Sequence, residues 1–154
     1  MTMNDKIVEV ATACIGTQEG TERHKTIIDI YNMYIKGKGL YKMTMKDPWC
    51  AAFVSAVFIA AGFPEVIPIE CSCMRMKTDA LKRNMLYDKT RYVPKAGDVI
   101  FYKFNNSKVV NHTGIVSKVN GSSLEVIEGN HKDSVSVRKI KLSYKYIDSY
   151  IKVG

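Results

Sequence analysis

The chain has 154 residues, 46% apolar and 25% charged, a composition that allows one folded domain with a real core and excludes a disordered chain. Lys and Arg number 23 against 15 Asp and Glu, a net charge of +8 that favours polyanions: nucleic acid, anionic lipid or the acidic polymers of a bacterial wall. The basic residues are scattered and form no nucleic-acid-binding motif, which argues against a nucleic-acid binder. No stretch is long and apolar enough to span a bilayer, so no membrane span is expected.

Met1 to Glu9 carries Asp5, Lys6 and Glu9 and lacks the apolar run of a secretory signal peptide. The expectation is a protein that stays in the cytosol, leaves by lysis or a dedicated route, or has been trimmed. The cysteines are Cys14, Cys50, Cys71 and Cys73. Cys71 and Cys73 are too close for a zinc-knuckle pair, and no second Cys/His pair would complete a metal site. Neither metal nor cofactor is expected, and the thiols read as free.

In chain order, a first helix is expected from about Asp5 to Cys14, with Ile7, Val8, Ala11 and Cys14 on one face and Gly16 as a stop. A second runs from about Thr21 to Tyr34 on Ile27, Ile30, Tyr31 and Tyr34, and the Gly37 to Met45 segment is a loop. A third spans Asp47 to about Gly62, and a fourth about Ser72 to Asn84. Beyond the Pro94-Lys-Ala-Gly turn the period shifts towards two. Strands are expected at 98–104, 109–119, 124–128, 135–140 and 146–153, with Asn120-Gly121 as a hairpin turn. Helices followed by close-set strands predict an α+β fold in one domain over 1–154, with an antiparallel sheet or small half-barrel.

The segment Asp47-Pro48-Trp49-Cys50 places an N-cap residue and a proline just ahead of a cysteine. With Asp47 as N-cap, Cys50 falls in the first turn, where free N–H groups and the helix dipole favour a thiolate. The helix behind it, Ala51 to Ala61, is apolar nearly all round and reads as buried. Taken singly, Cys50 fits an inert core thiol as well as a nucleophile, so its partners decide.

A thiolate nucleophile usually needs a histidine base. His24 lies among Glu22, Arg23 and Lys25 and reads as solvated surface; His131, beside Lys132 and Asp133, reads as loop. His112 opens the apolar strand Thr113-Gly-Ile-Val, and Gly114 leaves space on one face. A catalytic imidazole is normally oriented by a third group. The strand ending Glu128-Gly129-Asn130 returns antiparallel to His112 and offers two registers. A two-residue turn at Asn120-Gly121 sets His112 opposite Gly129 and turns Glu128 to the other face. A longer loop or a bulge sets His112 opposite Asn130 and brings Glu128 to its face, opposite Gly114. Only the second gathers the three; otherwise Glu128 is an exposed carboxylate and Asn130 a turn residue.

Four blocks carry a resemblance. Trp49-Cys50-Ala51-Ala52-Phe53-Val54-Ser55 resembles the nucleophile segment of CHAP domains, the cysteine- and histidine-dependent amidohydrolases/peptidases. Pro94 to Tyr102 resembles their entry to the sheet, His112-Thr-Gly-Ile-Val their histidine strand, and Ile127-Glu128-Gly129-Asn130 their closing motif. The blocks stand in family order over most of the chain. The resemblance implies a papain-like, NlpC-type fold. It implies a peptidoglycan amide hydrolase, an N-acetylmuramoyl-L-alanine amidase or a stem or cross-bridge endopeptidase, in the manner of a phage endolysin. Cys50 would be the nucleophile and His112 the base. Glu128 would orient the imidazole, Asn130 would support the site by hydrogen bonding, and the Cys50 N–H would serve an oxyanion hole. Trp49 is a packing residue before it is a substrate-binding one. Some members bind calcium through acidic residues ahead of the cysteine, but Lys36 to Lys46 holds none, so no calcium is expected there. The alternatives are an NlpC-like endopeptidase and an inactive wall- or partner-binding module of the same fold.

Overall fold

Thr2 opens the first helix through a capping box: its hydroxyl accepts from the Asp5 N–H while the Asp5 carboxylate accepts from the Thr2 N–H. In a computed structural model covering residues 1–154, this helix, α1, runs Met3–Ala13. Three more follow: α2 (Glu22–Ile35) capped by Thr21, α3 (Cys50–Ala60), and α4 (Cys73–Lys82) capped by Ser72. The strands are β1 (Leu86–Asp88), β2 (Val99–Tyr102), β3 (His112–Asn120), β4 (Ser123–His131), β5 (Ser134–Lys141) and β6 (Ile147–Ile151). They form one antiparallel sheet in the order β1-β6-β2-β3-β4-β5. This is the expected α+β architecture. The strand missing from the expectation is β1, three residues pairing with the end of β6, too short to show a period.

The two faces of the sheet are buried differently. Val99, Phe101, Ile115 and Ile127 pack with α3, Ile7 and Tyr31 in the main core. Ile100, Tyr102, Val116, Val126, Ile147 and Tyr150 form a smaller cluster on the other face. The central helix α3 is buried from Cys50 to Phe58, as its nearly all-apolar sequence requires, with Ser55 the one polar residue of that stretch. The turn before β2 is pinned by buried Asp98, whose carboxylate accepts from the Tyr92 hydroxyl and the Lys95 and Val153 N–H groups. No helix is long and apolar enough to cross a membrane.

The β3–β4 hairpin decides which residues share a face. The turn residues are Gly121 and Ser122, with Asn120 paired to Ser123, one position later than the Asn120-Gly121 signal suggests. A bulge at Ser117 then shifts the register, and beyond it Val116 pairs with Val126 and Ile115 with Ile127. The bulged alternative is the one that occurs, and Glu128 comes to lie opposite Gly114: a Cβ on Gly114 would sit 2.7 Å from Glu128 Cγ. Glycine there leaves the carboxylate its space.

Candidate active site

Cys50 is the first residue of α3. Asp47 is not its N-cap: the Asp47 carboxylate closes the preceding turn instead, accepting from Thr44 N–H, the Thr44 hydroxyl and the Tyr41 hydroxyl. Trp49 takes the cap position with no side-chain bond to the helix N–H groups. The helix therefore starts later than its cap signal, and Cys50 stands nearer the positive end of the dipole than expected. The residue is 7% exposed, and its sulfur lies 3.4 Å from the sulfur of Cys73, the first residue of α4. A hydrogen bond from Cys73 and the facing His112 imidazole hold the Cys50 thiol well below the ordinary thiol range, against burial, which pushes it up. Cys73 moves the opposite way, raised by donating to Cys50 and by burial.

His112, the first residue of β3, sits at the end of the sheet nearest the start of α3. Its Nε2 lies 2.9 Å from Glu128 Oε1, which leaves Nδ1 for the thiol side. Burial alone would depress the imidazolium. The Cys50 thiolate and the Glu128 carboxylate outweigh it and raise His112 to about 9. Glu128 is fully buried, yet His112 and Arg138 keep its carboxyl below the ordinary range against the upward push of burial.

Arg138 on β5 was not singled out by sequence. Its Nε lies 2.9 Å from both Glu128 oxygens, and its guanidinium lies over the rings of Phe104 and Tyr102, at 4.9 and 5.5 Å. The signal was present in outline: Arg138 pairs with Val126, two residues from Glu128 and on its face of the sheet. Tyr102, paired with His112, stacks on the imidazole at 5.8 Å between ring centroids.

Asn130 stands outside the hydrogen bonds that join the other site residues. It lies in the β4–β5 bulge with a left-handed backbone, φ 56°, and its side chain makes no hydrogen bond to Cys50, His112 or Glu128. The register sets it at the strand end beside His112, but the bulge turns the chain there, and Arg138 makes the bond to Glu128. Trp49 is wholly enclosed and packs: its Nε1 donates to Glu19 Oε1 at 2.9 Å, and its ring lies 4.3 Å from that of His24.

His24 is a further correction, for it is fully buried rather than solvated. The turn before α2 folds back so that Gly20 N–H donates to His24 Nδ1, and burial lowers its pKa, keeping the ring neutral. His131 closes β4 instead of lying in a loop, with Nδ1 2.7 Å from the Ser136 hydroxyl. No group of three or more His, Cys, Asp or Glu side chains is placed to hold a metal ion. A cleft of about 520 Å³ opens beside Arg138, lined by Phe104, Asn105, Asn106, Tyr144 and Tyr146. The Phe104 ring lies 5.8 Å from the His112 ring.

Among solved structures, the chain is similar to Ly7917 in its crystal structure with the hydrolyzing product of MDP, with 14% identity and a TM-score of 0.59 over 97% of this chain and 62% of that one. A second crystal structure of Ly7917 matches over 99% of this chain and 62% of that one, with the same identity and TM-score. An NlpC/P60 family protein from Bacillus cereus ATCC 10987 matches at 14% identity and a TM-score of 0.52, over 97% of this chain and 40% of that one. The chain thus spans less than two thirds of the length of these neighbours, which share its fold. No curated protein sequence matches it. The family model of the CHAP domain matches residues 41–130, more than half of the chain and a span that holds Cys50, His112, Glu128 and Asn130. The chain belongs to the CHAP domain family.

Proposed function

We propose that this chain hydrolyses an amide bond of bacterial peptidoglycan, with Cys50 as nucleophile and His112 as its acid and base. One observation carries the reading. A depressed thiol at the start of a buried helix faces an imidazole whose far nitrogen is held by a buried carboxylate, itself clamped by an arginine. That charge order is what a thiolate–imidazolium pair requires.

The Cys50 thiolate attacks the amide carbon. The oxyanion that forms takes a hydrogen bond from the Cys50 N–H, which at the first helical position has no intrahelical acceptor. His112 gives its Nδ1 proton to the leaving amine as the C–N bond breaks, and a thioester remains. Water then attacks the thioester carbon, His112 takes the water's proton, and the acid and the thiolate are released. Glu128 and Arg138 touch no reacting atom; they hold the ring and favour its charged form.

Membership of the CHAP family supports the peptidoglycan substrate, as does the fold shared with Ly7917, whose structure holds a product of MDP. A net charge of +8 favours approach to an anionic wall. The aromatic cleft next to His112 gives a sugar or stem peptide apolar faces to rest on.

Digestion of purified peptidoglycan, with the products identified by mass, tests this reading. New free amine on the stem alanine marks a muramoyl-alanine amidase; cleavage inside the stem or cross-bridge marks an endopeptidase of the NlpC kind. Intact sacculi, with muropeptide binding unchanged by Cys50→Ser, would make the chain an inactive wall-binding module instead.

A further inference from the structure

Two facts about Cys73 go beyond the hydrolytic site. Its sulfur lies 3.4 Å from that of Cys50, in a contact from which bulk water is nearly excluded, the residues being 8% and 7% exposed. The segment leading into it is also fixed. The Ser55 hydroxyl, on the same helix as Cys50, donates to the Glu70 carbonyl at 2.7 Å and accepts from the Glu70 N–H at 3.0 Å. This ties the approach to α4 onto α3. The two sulfurs are the leading residues of two helices held together by buried bonds, and no other sulfur lies within hydrogen-bond distance of Cys50. A disulfide needs a separation of about 2.05 Å, which leaves roughly 1.4 Å to close, within reach of small rotations about the two Cα–Cβ bonds.

We propose that Cys73 is a resolving thiol for the nucleophile: a peroxide that oxidises Cys50 is answered by an intramolecular Cys50–Cys73 disulfide, which turns hydrolysis off reversibly. The proposal rests on the reading of Cys50 as the nucleophile. The Cys50 thiolate attacks one peroxide oxygen and the O–O bond breaks. Cys50 becomes a sulfenic acid, and the other oxygen leaves as hydroxide, which takes up a proton to give water. The Cys73 sulfur then attacks the Cys50 sulfur. The S–S bond forms, the S–O bond breaks, and the hydroxide that departs takes the Cys73 proton and becomes water. Overall the Cys50 thiolate and the Cys73 thiol lose two electrons and one proton, solvent supplies a second proton, and one peroxide becomes two waters. A dithiol reductant returns two electrons and two protons and restores both thiols.

This arrangement gives Cys50 a reversible state ahead of sulfinic acid, which a solitary thiolate reaches under further peroxide. Cys71, two residues away, and Cys14, on α1, make no sulfur contact with the pair.

The test is peptide mass mapping, without prior reduction, of the full chain treated with a small excess of hydrogen peroxide. The expected result is a loss of two hydrogens and a linked peptide joining Cys50 to Cys73. It is reversed by dithiothreitol together with the loss of hydrolysis, and it still forms in Cys71→Ser. In Cys73→Ser the same treatment adds two oxygens to Cys50, and dithiothreitol restores nothing. Sulfinic acid at Cys50 in the unaltered chain, a Cys71–Cys73 link, or four unmodified thiols would each overturn the proposal. Because the link is read by mass, a chain that forms it yet never digests peptidoglycan would sink the hydrolase reading and leave the thiol pairing standing.

Discussion

Glu128 Oε1 lies 2.9 Å from His112 Nε2, and that contact reserves the other ring nitrogen for Cys50. The carboxylate is buried, so it orients the ring by a bond that water cannot replace.

The thiolate and the imidazole are both needed if the bond is cut by Cys50. Cys50→Ala and His112→Ala are each expected to lower peptidoglycan hydrolysis by about a thousandfold or more, with unchanged circular dichroism. Turnover within tenfold of the parent in either variant would remove these residues from the mechanism.

The pH profile follows from the signs of the two shifts. Cys50 is depressed, so the thiolate is present at neutral pH, and His112 is raised to about 9, so the imidazolium persists up to there. Activity is expected to hold through neutral pH and fall as pH rises through about 9, when the leaving amine loses its proton donor. Glu128→Gln keeps the shape and removes the charge that helps raise His112. The upper limb of kcat/KM is expected to move down by about one pH unit. A profile that stays in place in that variant would show that Glu128 does not set the charge of the ring.

Arg138 is expected to matter twice. Arg138→Met leaves a buried carboxylate with His112 as its remaining charged partner, which should cost about 2 kcal/mol in denaturant unfolding. Hydrolysis should fall as well, because Glu128 then loses the group that fixes its plane. Unchanged stability and rate would make Arg138 a bystander.

Much of this was legible in the sequence, and the gaps have specific causes. The four helices and the strands other than β1 followed from periodicity, with Gly16 as the stop after α1, while the caps at Thr21 and Ser72 emerged only with the structure. The register of Glu128 against His112 was reduced to two alternatives, and the choice turned on a bulge at Ser117, which no residue type announces. Asp47 misled because a cap residue closes a turn by the same chemistry that starts a helix. His24, set among charges in sequence, is buried by tertiary packing against Trp49, which local pattern does not encode. Arg138 and Cys73 meet the site only after the chain has folded.

Close packing at the base of the site gives a prediction about stability. A Cβ on Gly129 would come within 2.5 Å of Phe53 Cβ and 3.2 Å of Trp49 Cε3. Gly129→Ala is expected to destabilise the fold by about 2 kcal/mol, a fall in Tm of about 6 °C, by pushing the start of α3 away from β4. A melting temperature equal to the parent's would mean that this contact yields without strain.

Alkylation of Cys50 as a function of pH, resolved from the other cysteines by peptide mass, reads the charge of the sulfur directly. With iodoacetamide, Cys50 is expected to react at a rate nearly constant from neutral pH downward, while Cys14, its thiol raised by burial, slows steeply. His112→Ala should weaken that constancy. A Cys50 rate that falls tenfold per pH unit below 8, as an ordinary thiol's does, would contradict the thiolate on which the proposed chemistry depends.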